Sequence, residues 1–276
     1  MEFKEEEIEK VKIIITELEK FRKKITNIDY IHNKEEFFDI MKKFRRYLVK
    51  VDVWRNFEIF YHSKSYKFYK DFFTDINDYY TRSIESMQWL LVMTKGVHNY
   101  NSFSELIDKD LIRESFNRKN QELESIDFTN AENFVFAWSW PFPETLLYVY
   151  ENTNIKNILG LDYNHEAIYM AWEMINWLWL KNINLKHVDA IEFDYKDADI
   201  VSIPLFVPNK TKIINQIIET WKKSVQILVR SPKWFLNLVY EELWNDLTPR
   251  CTIIERKDIF SDHVNEEIIK LEKYNF

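Results

Sequence analysis

A chain of 276 residues with only two glycines, Gly96 and Gly160, has few places where backbone can turn left-handed or meet a ligand without an intervening side chain. Average usage of roughly 7% would give about twenty. Phosphate-cradling loops of the Walker and G-x-G-x-x-G kinds need glycines a few residues apart, so they are excluded. The shortage accompanies an abundance of Lys, Asn, Ile, Phe and Tyr, the signature of an AT-rich coding sequence, so part of it reflects codon bias.

With 46% apolar and 17% aromatic residues, the chain has ample material for a core. Its formal charge is −7, and Lys and Arg are interspersed with acids, so there is no electrostatic footprint for nucleic acid. One cysteine, Cys251, excludes an internal disulfide and a cysteine-cluster metal site and fits a reducing compartment. The six histidines show no i,i+4 pair and no HExxH, so no metal is expected. No G-x-S-x-G elbow is present for a hydrolase. The start is acidic, and no apolar run reaches about 18 residues. A cytoplasmic protein without membrane attachment is expected.

Two halves differ in period. Over residues 1–128 the pattern is helical. Ile8, Val11, Ile14, Ile15, Leu18 and Phe21 mark one amphipathic helix over 3–26, and Phe37, Phe38, Met41, Phe44 and Leu48 mark a second over 33–50. A third spans 65–93, with Phe68, Phe72, Ile76, Tyr79, Tyr80, Ile84, Met87 and Leu91 as its stripe and Gly96 as its stop; a shorter one runs over 102–123. From 129 to 276, short apolar segments near 134–138, 155–161, 199–203, 225–229, 252–254 and 267–271 alternate with helical patterns at 142–151, 165–181, 210–223 and 233–245. That alternation predicts an α/β fold, a helical N-terminal domain followed by a doubly wound Rossmann-like sheet. Ligands of such sheets sit beyond the carboxyl ends of the strands, so function is expected at 138–145, 162–164, 189–193 and 203–209.

Those windows hold Trp138-Ser139-Trp140-Pro141-Phe142-Pro143-Glu144-Thr145, then Asp162-Tyr163-Asn164, then Asp189-Ala190, then Pro204-Leu205. An acid ending the second strand accepts hydrogen bonds from a ribose diol, although Asp162 also stands where it could cap the helix starting at His165. The order suits an adenosyl ligand lying across the top of the sheet.

The run 133–275 resembles the adenosylmethionine-binding domain of the nicotianamine synthase family and its relatives that make opine-type metallophores. Ser139, Pro141, Pro143 and Thr145 keep the places of a Gly-Ser-Gly-Pro-Leu-Pro-x-Thr turn. Gly160-Leu161-Asp162 with Ala167, Asp189-Ala190, Pro204-Leu205 followed by Lys210, Arg230-Ser231 and Asp262-His263-Val264-Asn265 resemble its later elements in order. The resemblance implies a class I methyltransferase-type fold and transfer of the aminobutyrate (3-amino-3-carboxypropyl) arm of S-adenosylmethionine to a small-molecule amine, releasing methylthioadenosine. It places the ribose at Asp162, the adenine region at Asp189 and the amino-acid end at the 138–145 turn, with Trp138, Ser139, Trp140, Pro141, Tyr163, Ala190, Pro204 and Leu205 as further cofactor contacts. The family's acid lies in a Glu-x-x-Trp segment; Glu85 before Trp89 is the nearest match, off by one, and is the expected general base. The family's later tyrosine has no counterpart in Asp108–Glu114, leaving Tyr79, Tyr80 or Tyr100 as alternatives.

Both glycines of the turn are tryptophans here, Trp138 and Trp140. The indoles either remodel the pocket, where a ring face attracts a sulfonium, or fill it, leaving a lapsed binding module; an ordinary small-molecule methyltransferase is the enzyme alternative. The Trp172, Trp177 and Trp179 cluster reads as core, or as the face of a homodimer. Cys251 reads as a small buried hydrophobe.

Overall fold

The computed structural model describes residues 3–51, 53–94, 119–221, 225–243, 251–261 and 264–273. Gly96, Tyr100, the segment Asp108–Glu114 and the pair Asp262-His263 lie outside the described residues, as does most of the helix expected over 102–123. The chain forms two compact units: Met1–Arg82 with Pro232–Glu242 and Phe260–Glu267, and Ser83–Ser231 with Leu243–Ile259 and Ile268–Phe276. The division at 128/129 drawn from the sequence marks a change of period; the compact units divide the chain differently.

In the first unit the helices are α1 (Glu5–Asn27), α2 (Lys34–Lys50), α3 (Trp54–Tyr61) and the leading part of α4 (Ser65–Thr94). α1 buries Val11, Ile14, Leu18 and Ile25, and α2 buries Phe37, Met41, Phe44 and Leu48, the three- and four-residue steps expected of a helix with one apolar face. The eight-residue α3 was not anticipated. It is too short for periodicity to stand out, and aromatic packing of Phe57 and Phe60 on Phe235 holds it.

The expected stripe of α4 needs correction. Phe68 is exposed, as are Met87 and Leu90, while Tyr69, Phe73, Asn77 and Tyr80 are buried. The helix is aromatic on several sides, and the buried face is the one whose polar members have work. Lys70 Nζ donates to the carbonyls of Asn237 and Tyr240, Thr74 Oγ1 to Leu238 and Asn77 Nδ2 to Val239. These carbonyls belong to a segment expected as a helix over 233–245. It is instead a 3-10 turn, Trp234–Leu238. Pro232 precedes it, Trp234 has a positive φ of 43°, and its carbonyls face side-chain donors on α4.

The second unit carries most of a sheet of β1 (Asn133–Phe136), β2 (Asn157–Asp162), β3 (Ile183–His187), β4 (Ile200–Ile203), β5 (Gln226–Pro232), β6 (Cys251–Ser261) and β7 (Val264–Lys273), in the order β3-β2-β1-β4-β5-β7-β6. Strands β1 to β5 pair in parallel, with Phe136 beside Gly160 and Ser202, and Asp162 beside His187. Between them run α5 (Glu144–Asn152), α6 (His165–Trp177) and α7 (Lys210–Thr220). Alternate strand residues face opposite cores, as a period of two requires. Phe134, Phe136, Ile200 and Leu228 pack with α5 and α6, whereas Val135, Val201, Ile203, Ile227 and Val229 pack with α7. Helices therefore cover both faces, the doubly wound α/β architecture expected.

Gly160 shows why this glycine is kept. A Cβ there would lie 2.6 Å from Leu146 Cδ1 and 2.8 Å from both Leu185 Cδ2 and Ser139 Cβ. At the end of α6, by contrast, a tryptophan takes a glycine's role. Trp179 adopts φ 55°, its N–H donates to Asn176 and the Leu180 N–H to Ile175, the two bonds of a Schellman motif. Trp172 and Trp179 are exposed, so of the expected tryptophan cluster only Trp177 packs on the core. α6 meets the sheet through the narrower stripe Ala167, Ala171, Met174 and Ile175.

Candidate active site

A cavity of about 180 Å³ opens at the carboxyl ends of β1, β2, β3 and β4, lined by Trp138, Asp162, Tyr163, Val188–Ile191 and the Pro208–Asn209 turn. It lies beside the switch point between β1 and β4, where connections leave opposite faces of the sheet. Trp138, Asp162, Tyr163, Asp189 and Ala190 thus meet around one space. Glu85, Ser139, Trp140, Pro141, Pro204 and Leu205 are not among its lining residues. Ala137, Val188, Ile191, Pro208, Asn209 and Ile213 line it beside the expected site residues. Ile191, Pro208 and Asn209 do fall inside the strand-end windows; Val188 and Ile213 carry no signal beyond being apolar.

Asp162 is 3% exposed and organises the turn after β1. One carboxylate oxygen accepts the Trp140 N–H at 3.1 Å and the other the Asn164 N–H at 2.9 Å. It does not cap α6. That role belongs to Asn164, whose side-chain oxygen accepts from Glu166 and Ala167. Trp140, held by Asp162, has φ 60°, so it retains the left-handed backbone for which glycine is the usual residue. Its indole is 8% exposed. Ser139 donates its N–H to Leu161 at 2.7 Å, which stitches the turn to β2 beside Gly160.

The other walls are fixed by side chains reaching backbone. His187 Nε2 donates to the Tyr163 carbonyl at 2.8 Å. Asp189 Oδ1 accepts the Ile191 N–H at 3.0 Å, and the fully buried Tyr195 hydroxyl donates to the Ala190 carbonyl at 2.9 Å. Burial, reinforced by the Asp189 charge, pushes the Tyr195 phenol far above its ordinary value, so it stays a donor. Lys210, with no exposed surface, donates to the carbonyls of Leu205 and Val207, both at 2.9 Å. Its ammonium folds the loop after β4 and delivers Pro208 and Asn209, the latter at φ 58°, to the cavity. Pro204 and Leu205 are buried and act through that loop.

Rings run in an unbroken row beside the carboxylates. Tyr163 meets Trp138 edge-on at 4.9 Å, Trp138 meets Trp140 at 5.8 Å and 51°, and Trp140 meets Phe206 at 5.4 Å and 89°. Glu85 stands on α4, half-buried, one turn before Trp89, whose indole N–H donates to the Met170 carbonyl at 2.7 Å. Among the described residues no group of three or more His, Cys, Asp or Glu is placed to hold a metal. Among them, too, no helix is long and apolar enough to cross a membrane.

No family model matches the sequence, and no curated protein does. Solved structures do. The structure of MtNAS in complex with MTA and tNA matches with a TM-score of 0.81 at 11% identity, covering 95% of this chain and 99% of that one. A mutant of MtNAS in complex with S-adenosylmethionine matches with a TM-score of 0.76 at 11% identity, covering 93% and 96%. The chain has a nicotianamine synthase-like fold. The turn after β1 adopts φ 60° at Trp140, a left-handed backbone that usually calls for glycine. Asp162 grips the Trp140 N–H there, a bond made by backbone and not by the indole.

Proposed function

We propose that this protein is a cytoplasmic transferase that moves the aminobutyrate arm of S-adenosylmethionine to a small-molecule amine, a step of nicotianamine or opine metallophore assembly. The observation that carries the reading is the cavity at the strand ends, where Asp162, Tyr163, Asp189 and Ala190 meet on a fold shared with proteins solved with S-adenosylmethionine and MTA. Asp162 takes the ribose diol, since it lines the cavity and its carboxylate accepts hydrogen bonds. Asp189 and Ala190 take the adenine edge.

In the reaction the acceptor's nitrogen lone pair attacks the arm's carbon next to sulfur. The carbon–nitrogen bond forms, the carbon–sulfur bond breaks, and its electron pair stays on sulfur, which leaves as the neutral thioether methylthioadenosine. Glu85 takes the proton that the amine loses. One observation favours a second reading, a lapsed module: Trp140 buries its indole where the family has glycine.

Mass spectrometry of the nucleoside formed from S-adenosylmethionine and a panel of amino-acid amines tests the assignment. Methylthioadenosine is expected. Adenosylhomocysteine would reassign the protein as a methyltransferase, and no product with no calorimetric binding would leave the lapsed module.

A further inference from the structure

A second recess opens at the other end of the sheet, between the last turns of α6 and the amino end of β3. It encloses about 540 Å³ and shares no lining residue with the strand-end cavity. Buried Ile175 and Ile183 line it with apolar surface, and Trp172 and Trp179 add indoles that are 51% and 83% exposed. Its polar groups are the amides of Asn176 and Asn184 and the ammonium of Lys181, and no acid is among its lining residues. Among the described residues, the side chains of these two tryptophans, two asparagines and one lysine take part in no hydrogen bond, ion pair or ring contact. Trp179 keeps its place at φ 55°, a left-handed backbone that a Cβ strains, while its ring adds little packing to the fold. Strain that packing does not offset points to a use in binding.

The chemistry of the lining selects the ligand. One lysine and no acid favour an anion over a cation. A nucleic acid strand needs a track of several cations, which a single ammonium does not supply. A second copy of the chain docked about a two-fold axis would present the same lining, and so a second Lys181 with no acid to meet the first. A fatty acid would leave both amides idle. A sugar engages every group: each amide offers two N–H donors and a carbonyl acceptor, matched to hydroxyls that both donate and accept, and the C–H face of a pyranose ring lies flat on the electron-rich face of an indole. We propose that this recess is a carbohydrate site for an acidic oligosaccharide, with Trp172 and Trp179 stacking on its rings, Asn176 and Asn184 bonding its hydroxyls and Lys181 pairing with a carboxylate. The two sites have separate linings, so this inference does not depend on the adenosylmethionine reading.

A glycan array carrying uronic- and sialic-acid oligosaccharides beside their neutral counterparts, probed with the full chain, tests it. Calorimetry then compares the most strongly retained acidic glycan with its neutral counterpart. Acidic glycans are expected to be retained, and the neutral counterpart to bind about 2- to 5-fold more weakly, the worth of one exposed ion pair. Lys181→Met should bring the two affinities together. Trp172→Ala and Trp179→Ala should each weaken both by about 10- to 100-fold, as a ring face stays in water, while Phe68→Ala, at a ring of similar exposure in the first unit, should change neither. An array that retains no acidic glycan, or binding that survives loss of both tryptophans, would overturn the site. Displacement of the glycan by a single-stranded oligonucleotide, or a dimer in sedimentation that Trp179→Ala dissociates, would give the recess to nucleic acid or to a second copy and overturn the carbohydrate.

Discussion

Trp140 offers a test of backbone conformation separable from loss of its ring. Trp140→Ala and Trp140→Gly both delete an indole that is 8% exposed, and each should be destabilised by about 3–5 kcal/mol for the lost packing. The two variants differ only in what their backbones prefer. At an ordinary position alanine is favoured over glycine by about 0.5–1 kcal/mol, because glycine loses more freedom on folding. At φ 60° a Cβ costs about 1–2 kcal/mol, and glycine escapes this. The sum inverts the usual order, with Trp140→Gly more stable than Trp140→Ala by about 0.5–1 kcal/mol. Urea denaturation followed by far-ultraviolet circular dichroism reads the difference as a shift in midpoint at constant m. An alanine variant equal to or more stable than the glycine variant would refute the left-handed turn, and with it the Asp162 bond that holds it.

Three further outcomes follow from particular contacts. Gly160→Ala should cost about 1–3 kcal/mol by overpacking; Leu146 and Leu185 can move their side-chain ends, but Ser139 presents its Cβ, and a neutral result in the same denaturation assay would show that the turn yields. Glu85→Gln should lower kcat by about 10²–10⁴-fold with S-adenosylmethionine affinity unchanged by calorimetry; an unchanged kcat would remove Glu85 from the reaction. Burial holds the Lys70 ammonium down at about 8, opposed by Glu241, Glu242 and Asp71, so between pH 8 and pH 10 the unfolded chain binds more protons at this site and stability rises with pH. Read as the difference between wild type and Lys70→Met, the rise should be about 1–2 kcal/mol. The subtraction cancels the opposite trend from groups such as Cys251, whose thiol burial raises to about 11; a flat difference would show that Lys70 is solvated.

The sheet was legible because its strands are short apolar runs between turn residues, and the two stripes of α1 and α2 because charged residues leave only one apolar face. α4 was misread by about one position, and the reason is chemical. A helix rich in Phe and Tyr on several sides has no single apolar stripe, and its core face is decided by Lys70, Thr74 and Asn77 meeting carbonyls more than 160 residues away in sequence. No local pattern records such a partner. The same holds at the cavity. Asp162 and Asp189 stand out as acids after strands, but Pro208 and Asn209 reach it through the buried Lys210 ammonium, and Ile213 looks like any core residue of α7. Of the two readings of Trp172 and Trp179, core or homodimer face, their exposure removes the first, since hydrophobicity alone does not say which side of a helix meets the sheet.

Glycine has two separable uses, and this chain gives up one of them. Where a Cβ has no room, at Gly160, the glycine stays. Where only a left-handed φ is required, three of the four non-glycine residues that adopt it among the described residues are tryptophans, Trp140, Trp179 and Trp234. A bulky side chain at such a position is strained by about 1–2 kcal/mol, which burial of the ring can offset at Trp140. At Trp179 it cannot, since the residue is 83% exposed and the indole has little packing to lose. The Schellman bonds from the Trp179 and Leu180 N–H groups are backbone contacts that any residue at φ 55° preserves. Trp179→Gly should therefore raise stability, by about 0.5–1 kcal/mol after the greater entropy of glycine in the unfolded chain is subtracted. Destabilisation of that size or more in urea would show that the exposed indole is held by a contact at the end of α6, and that strain does not govern the choice of residue there.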